Sequence, residues 1–343
     1  MALPRFIEEQ AFEKGFESFF EGELAEAWSQ LEQDRLKILK QSRFYLAGVL
    51  VLTAGFLFLS NESSMPVILS LFVLGLGYLG FHINRQFHLN KYSTLFKQKI
   101  LPRFFRFFGN FDYVAESKDP LKNKILPIHS SARITDCLSG EHTGLKFTMQ
   151  ELELYEFNIL FLFQIPHIVV FYVLTKKFLN TEFNLSRLAE AMCSKGMLLT
   201  VQFPRTFKGE TLVLKDKLDR MKGILENFTS SQLSKVSLED PQFEAWFTVY
   251  STDQVEARYL LTTALMQRLI DLGESLKTKP LELPRLRVEF SENKMVLYLN
   301  TAYNFFEPYS LKNKLEEFKE LHLFLQQMNQ LFQFIDALKL NRL

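Results

Sequence analysis

Two long apolar runs, separated by a short polar break, dominate the hydropathy pattern of the chain. The first, Phe44–Ser60, has 17 residues and no charged side chain, and the second, Pro66–Ile83, has 18 residues. At about 1.5 Å per residue each run forms a helix of roughly 26 Å, close to the ~30 Å hydrocarbon core of a bilayer. The pattern predicts a two-helix transmembrane hairpin over residues 44–83. A hairpin buried in a protein core is the alternative.

Basic residues flank both ends of this hairpin, whereas its turn carries Glu62 and no cation. Because Lys and Arg concentrate on the cytoplasmic side of membrane proteins, we expect a multi-pass protein with two spans, the turn outside and both termini cytoplasmic. The first span would act as an uncleaved insertion signal, since no cleavable signal peptide precedes it. The membrane-orienting residues are Arg35, Lys37, Lys40, Arg43, Arg85 and Lys91.

The segments on either side of the hairpin are rich in aromatic residues. Residues 1–43 predict a helical segment, since apolar side chains recur at a spacing of three and four. We expect this stripe to pack on the chain's own cytoplasmic domain, with a partner protein as the alternative. Residues 84–108 are basic and aromatic, so we expect this segment either to lie at the membrane surface or to bury its phenylalanines in the domain. Within it, Pro102 is predicted to start or kink a helix. The stripe residues are Phe12, Phe16, Phe19, Phe20, Leu24, Trp28 and Leu31.

From residue 113 onwards, short alternating segments typical of strands are mixed with helical patterns. The alternation in 144–155 slips by one residue, which predicts a bulge near Gln150-Glu151. The last helix, with its apolar stripe from Leu311 to Leu338, either docks on the domain or binds a partner or a second copy. The predicted strands are two within 157–174, then 197–203, 211–214, 243–250 and a hairpin of 286–290 with 295–299; shorter helices are predicted at 185–195, 253–258 and 263–272.

These patterns predict an α+β fold in which a transmembrane hairpin precedes a cytoplasmic domain with an antiparallel sheet and a long C-terminal helix. The predicted segments are an N-terminal helical segment (1–43), the hairpin (44–60 and 66–83) and the cytoplasmic α+β domain (84–343). The net charge of +1 argues against nucleic acid as a partner, and two cysteines cannot form a disulfide framework or a four-cysteine metal site.

A search for catalytic motifs finds none. Residues 75–80 match Gly-x-Gly-x-x-Gly, but they lie inside an apolar run with no acidic residue before Asp112, so we interpret the glycines as sites of close helix approach, to Gly48 or Gly55. Cys193 has the surroundings of a core cysteine on a helix. The acidic residues Glu151, Glu153 and Glu156 predict a solvated strand face rather than a metal site. We therefore predict no catalytic, cofactor-binding or metal-binding residue.

The densest polar constellation is residues 250–262. Ser251 with Gln254 predicts a capping box at a helix start, and the acids of the first turn suit the helix dipole. A structural network at the helix start is one interpretation. The other is a partner or ligand site formed by Tyr250, Asp253, Gln254, Glu256 and Arg258.

At these residues the chain resembles a bacterial membrane family, domain of unknown function 3137, some of whose members are labelled galanin. The resemblance rests on the sequence VYSTDQVEARYLLT (249–262), supported by Phe203, by 207–214 and by 305–308. One departure is Thr263, where we expect proline. The resemblance implies a bacterial inner-membrane location, lipid as a partner and a LemA-type membrane protein as the protein partner. It transfers no catalytic residue.

The leading functional hypothesis is a membrane-anchored, non-enzymatic binding or scaffold module. The first alternative is an enzyme or small-ligand-binding protein with a site near Asp253, Glu256 and Arg258. The second is a secreted factor that inserts into a host membrane. We predict no cofactor, and the oligomeric state stays open.

Overall fold

A computed structural model describes residues 14–58, 65–117, 124–126, 131–155, 193–215, 232–275, 286–301, 306 and 319–340. The chain forms two compact units. Unit 1 comprises Met1–Asn110 and Glu307–His322, and unit 2 comprises Phe111–Phe306 and Leu323–Leu343. The predicted strands within 157–174, the predicted helix over 185–192 and the turn around Glu62 lie outside the described residues.

Unit 1 is helical. A π-helical turn, Phe20–Leu24, runs directly into α1 (Ala25–Phe58), and α2 (Met65–Lys99) is followed by α3 (Leu101–Phe105). The predicted N-terminal helix therefore continues into the first apolar run without a break. Pro102 lies in the first turn of α3, where its missing N–H is no loss, and this confirms that it begins a helix.

The aromatic stripe of the N-terminal helix packs against the end of α2 and against α3. Phe16 lies 5.8 Å from the Phe104 ring and 5.3 Å from the Phe107 ring, and Trp28 lies 6.4 Å from the Phe96 ring, all measured between centroids. Phe96 and Phe104 are fully buried. The stripe thus packs on the chain's own residues, as predicted. Within 84–108, Phe96, Phe104 and Phe105 are buried, whereas Phe87 is exposed.

The predicted transmembrane hairpin is wrong. Throughout the described part of the chain, no helix combines the length and the apolar composition that a membrane crossing requires. The first part of α1, residues 25–43, is rich in charged side chains, and the apolar residues follow only from Phe44 onwards. From Asn84 onwards α2 is polar and basic. The predicted two-span membrane location is therefore wrong as well.

The residues predicted to orient the hairpin have other surroundings. Arg35 is 3% exposed and donates to both carboxylate oxygens of Glu32, at 2.8 and 2.6 Å. Burial, reinforced by the charge of Glu32, raises the pKa of the nearby Tyr92 hydroxyl. Lys37 pairs with Asp34 at 3.6 Å. The remaining orienting residues are exposed or half-buried: Lys40, Arg43, Arg85 and Lys91.

Glycines of α2 allow α1 to approach closely. A Cβ at Gly77 would overlap the side chain of Val49, and a Cβ at Gly80 would overlap the Tyr45 hydroxyl. Close approach is therefore confirmed, although α1 contributes these two side chains rather than its own glycines. The Gly-x-Gly-x-x-Gly residues lie within a helix and follow no strand, so they are not a dinucleotide site. Both helices also carry exposed apolar side chains, including Leu50, Val51, Leu52, Phe58, Tyr78 and Phe87, a surface typical of interaction sites.

Unit 2 is built on one antiparallel sheet of nine described strands, in the order β1-β2-β3-β4-β9-β8-β5-β7-β6. The large antiparallel sheet confirms the α+β part of the predicted fold. The strands are β1 (Asp112–Ser117), β2 (Ser131–His142), β3 (Leu145–Tyr155), β4 (Cys193–Gln202), β5 (Thr211–Lys215), β6 (Ser234–Val236), β7 (Phe247–Ser251), β8 (Leu286–Ser291) and β9 (Lys294–Thr301).

The predicted bulge occurs in the β2–β3 pair, but its extra residue lies on β2. Ile134 pairs with Leu152 and Asp136 with Glu151, so Thr135 is the inserted residue. β3 itself pairs with β4 in an unbroken register, so Glu151 and Leu152 lie on opposite faces of the sheet. The prediction that Glu151 lies on a solvated face is wrong because both faces are covered at this point: Glu151 is only 2% exposed and Leu152 is fully buried. Glu153 is half-buried and accepts a hydrogen bond from the Tyr155 hydroxyl at 2.8 Å.

Four helices of unit 2 lie within the described residues, all late in the chain. Those at 254–260 and 263–275 lie close to the predicted positions; the last helix is described from Lys319, and 311–318 lie outside the described residues. Residues 243–246, predicted as strand, are helical because Asp240 caps the helix N-terminus and Pro241 occupies its first turn. Residues 193–195, predicted as helix, belong to β4, which places Cys193 on a strand. The helices are α4 (Pro241–Trp246), α5 (Gln254–Leu260), α6 (Thr263–Ser275) and α7 (Lys319–Leu340).

From Leu323 onwards α7 contributes an apolar stripe to the core of unit 2, which confirms the docked terminal helix. Phe332 stacks on Phe111 at 5.2 Å between centroids and meets the edge of the Phe147 ring at 5.6 Å. His142 Nε2 lies 3.0 Å from Asp336 Oδ1 beside this cluster. The buried stripe residues are Phe324, Leu325, Met328, Leu331, Phe332, Phe334, Ile335 and Leu338.

Candidate functional site

The loop between β4 and β5 (203–210) is fastened to the turn between β8 and β9. The Phe203 amide donates to the Asn293 carbonyl at 2.7 Å, and the Phe207 amide donates to the Glu292 carbonyl at 2.6 Å. Glu292 has a positive φ of 54°, as the tight turn requires. The two amides flank Arg205, so the loop presents that side chain from a fixed backbone.

The guanidinium of Arg205 is held on three sides. Its Nη2 lies 3.2 Å from Glu256 Oε1, and its Cζ lies 5.2 Å from the centroid of the Phe207 ring and 5.2 Å from that of Tyr259. Phe207 is itself buried against Phe203. Cation–π contacts and an ion pair in a partly buried setting restrict the rotamers of Arg205. The result is a cation whose position is set by the fold.

The start of α5 is bound to the same loop. The Thr252 amide donates to the Glu210 carbonyl at 3.0 Å, and the Glu210 amide donates to Thr252 Oγ1 at 2.9 Å. Gly209, with φ of +74°, lies so close that a Cβ would overlap Thr252 Oγ1. The reciprocal pair fixes the entry to α5 relative to the segment that carries Arg205.

The predicted capping box at Ser251 is wrong. Ser251 is the last residue of β7 and is fully buried, and its hydroxyl lies 2.9 Å from Thr211 Oγ1 and 2.8 Å from the Asp253 carbonyl. Asp253 is the N-cap instead, accepting from the amides of Val255 at 2.9 Å and Glu256 at 3.0 Å. A carboxylate at this position satisfies two amides and suits the helix dipole.

The candidate residues of the 250–258 stretch therefore separate into two groups. Asp253 and Glu256 serve the helix start and the ion pair with Arg205, and Tyr250 packs on a small apolar cluster in the sheet. Gln254 and Arg258 point outward; Gln254 Nε2 lies 3.3 Å from Ser234 Oγ, and Arg258 Nη1 lies 3.4 Å from the Gln254 carbonyl.

Two apolar side chains that the sequence did not single out share this outward side of α5. Val255 is 77% exposed and Tyr259 is 54% exposed. They are four residues apart, so they are neighbours on one side of the helix. We define the α5 face as the side chains of Arg205, Gln254, Val255, Arg258 and Tyr259. An apolar pair on an otherwise polar side was the available sequence signal, whereas nothing in the sequence links Arg205 to Glu256, 51 positions away.

A buried acid lies in the sheet of the same unit. Glu289 on β8 is 6% exposed, and burial raises its pKa above the ordinary range. The Ser291 hydroxyl donates to Glu289 Oε1 at 2.9 Å and lowers the pKa in part, while the charge of Glu210 raises it. Lys124, which pairs with Glu210 at 3.3 Å, also lowers it, as does Lys294.

Glu289→Gln is expected to make the protein more stable at neutral pH and to leave its stability unchanged in acid. Because the folded-state pKa of Glu289 is raised, the stability that this group contributes is fully present below the unfolded-state pKa and is lost as the pH rises through the folded-state pKa. Glutamine keeps an acceptor for Ser291 and carries no charge. As the pH is raised from acid to neutral, the urea midpoint of the variant should rise increasingly above that of the parent. Parallel pH profiles for the variant and the parent would contradict this, and Glu292→Gln, at an exposed turn position, is the matched control.

No group of three or more histidine, cysteine or acidic side chains capable of holding a metal ion occurs in the described ranges. Of the acidic residues considered in the sequence, Glu151 is buried on β3 and Glu153 accepts a hydrogen bond from the Tyr155 hydroxyl. Glu156 lies outside the described residues.

Comparison with known proteins supports the resemblance found in the sequence. Residues 194–340 match the family described as protein of unknown function (DUF3137), so the resemblance to that family is confirmed. The matched part includes β4 to β9, the loop with Arg205 and the α5 face. No curated protein matches the chain. Among solved structures the chain is similar to the crystal structure of the mycobacterial trehalose monomycolate transport factor A, TtfA, with 9% identity, a TM-score of 0.31, and coverage of 69% of this chain and 92% of that chain.

Proposed function

We propose that unit 2 is a protein-binding module and that the α5 face is its binding surface. The observation that carries the proposal is the adjacent exposure of Val255 and Tyr259, at 77% and 54%, on a helix that is otherwise fixed in place. Tyrosine and arginine dominate the residues at which interfaces gain their energy. Here a tyrosine and an arginine already stack on each other before any partner binds.

Preorganisation supports the same proposal. Binding surfaces lose affinity when long side chains must be ordered on association. The Arg205 side chain is held by Glu256 and by two aromatic rings, and Asp253 caps the helix, so little ordering remains. The face can therefore form contacts at low entropic cost.

The other functions suggested by the sequence have less support. Asp253 and Glu256, the acids of the hypothetical enzyme site, are committed to the helix cap and to Arg205. The secreted factor and the membrane anchor both depended on the transmembrane hairpin, which is wrong. A binding or scaffold role needs neither.

The test is a photo-crosslinking amino acid placed at Val255 in the full-length chain within its own cells, with the same amino acid at Gln326, exposed on α7, as control. A partner that crosslinks at the first position and not at the second is then purified. We expect Val255→Glu and Tyr259→Ala each to weaken its binding by at least about 10-fold, the scale of an interface hot spot. Gln326→Ala should leave affinity unchanged. A crosslinked partner that binds both α5 variants as tightly as the parent would overturn the proposal.

A further inference from the structure

We infer that the partner of the α5 face presents carboxylate side chains around an apolar one, as an acidic segment of a protein. This inference rests on the proposed function and adds the chemistry of the partner. It follows from which charges on the face are already neutralised and which are exposed.

The two acids at the start of α5 are already engaged within the protein. Asp253 accepts two backbone amides of its own helix, and Glu256 is a buried side chain held by Arg205. Arg258 is exposed, and so is Lys208 in the loop next to Arg205. Among the described residues of α5, therefore, the charge presented outward is positive. An acidic partner complements it, whereas a basic one would place like charges together.

Arg205 retains hydrogen-bonding capacity. A guanidinium has five N–H donors, and the ion pair with Glu256 engages Nη2. Nε is buried and makes no hydrogen bond within the described residues, so a partner can reach only the exposed part of the side chain, which is 33% of its surface. A partly exposed planar guanidinium of fixed orientation is suited to a carboxylate.

Arg258 can also be recruited at low cost. Its described contact is a 3.4 Å approach of Nη1 to the Gln254 carbonyl, which is long for a hydrogen bond. A charge-assisted bond to a carboxylate is shorter and stronger. Replacing the contact with the Gln254 carbonyl by a bond to a carboxylate of the partner therefore favours binding.

The exposed pair of Val255 and Tyr259 indicates that the partner also presents an apolar side chain. Val255 and Tyr259 lie between the two arginines, since the Tyr259 ring contacts Arg205 and Arg258 neighbours it on the helix. Interfaces of this layout have an apolar centre and a polar rim. The matching segment places an aromatic or aliphatic side chain at the centre and acids on both sides.

The test uses the full-length protein and three sets of synthetic peptides built around one fixed phenylalanine, with aspartates, serines or lysines on both sides. We expect the aspartate set to bind at least about 10-fold more tightly than the serine set, and added salt to reduce the difference. Arg258→Glu should abolish the preference for aspartate. Lys146→Glu, an exposed position on β3, makes the same change in net charge away from the face and should leave the preference intact.

Other results of the peptide experiment would contradict the inference alone or the proposed function as well. If the serine or lysine set binds as tightly as the aspartate set, while Val255→Glu still abolishes binding, the inference is wrong and the proposed function stands. Tighter binding of a single-stranded oligonucleotide than of the aspartate set would assign the cations to phosphates and also overturn the inference. If no set binds, or if Val255→Glu binds every set like the parent, the proposed function itself fails and the inference fails with it.

Discussion

Replacing Phe332 with alanine is expected to lower the free energy of unfolding of unit 2 by about 3–5 kcal/mol, the cost of truncating a buried phenylalanine. Its ring is 3% exposed, stacks on Phe111 and meets the edge of the Phe147 ring. Truncation would remove both aromatic contacts and leave a cavity between α7 and the sheet. The loss exceeds that of an ordinary apolar side chain because aromatic pairs contribute beyond their buried area.

Two tryptophans make this measurement specific to unit 2. The chain has two tryptophans, Trp28 in α1 and Trp246 in α4. In a Trp28→Phe background, tryptophan fluorescence therefore reports only on Trp246, which lies in unit 2. Urea unfolding of Phe332→Ala in that background gives the change. Gln333→Ala, at the next and exposed position of α7, should stay within about 0.5 kcal/mol of the parent. Equal midpoints for the two variants would show that α7 does not stabilise the sheet.

The elements that the sequence predicted well are those whose local pattern and final environment agree. The β8–β9 hairpin alternates about a polar turn and occurs as predicted. The apolar stripe at helical spacing occurs in α7 from Lys319 onwards, while its predicted first part, 311–318, lies outside the described residues. Antiparallel pairing of short alternating strands is a local property of this kind. The same is true of α6, which begins at Thr263 although proline was expected there.

The failures have physical causes that a local pattern cannot reveal. The two apolar runs predicted a membrane hairpin, but α1 and α2 each join an apolar run to a charged segment. Ser251 was a reasonable N-cap until pairing of β7 with β5 buried it, which moved the helix start to Asp253. In the sheet, Glu151 and its neighbour Leu152 are both buried, because both faces of β3 are covered there and not only one.

The candidate site also combines features that the local sequence reveals with features that only the fold produces. The polar density of the sequence marks the entry to α5. Within that segment, Asp253 caps the helix and Glu256 is buried against Arg205, whereas Val255 and Tyr259, which the sequence did not single out, are exposed. The decisive partner, Arg205, comes from a distant loop that reaches α5 only through the fold.

Replacing Gly209 with valine is expected to lower the free energy of unfolding by about 3 kcal/mol and to weaken binding at the α5 face. A β-branched residue at φ of +74° costs about 1–2 kcal/mol. The added side chain also displaces Thr252 and breaks its reciprocal hydrogen bonds with Glu210, each of about 1 kcal/mol. Urea unfolding monitored at Trp246 measures the first effect, and affinity for the aspartate peptides measures the second.

Thr252 provides the control that separates backbone strain from crowding. Gly209→Ala should destabilise less than valine, and Thr252→Ala should lose the hydroxyl contact alone. In the double variant Gly209→Ala with Thr252→Ala, the overlap between the new Cβ and Oγ1 no longer exists. The double variant should therefore be less destabilised than the sum of the single variants, since residues in contact are not additive. Strict additivity would mean that Gly209 is required only for its backbone conformation. Coupling between the two positions would show that the loop and the α5 entry form one unit, on which the placement of Arg205 depends.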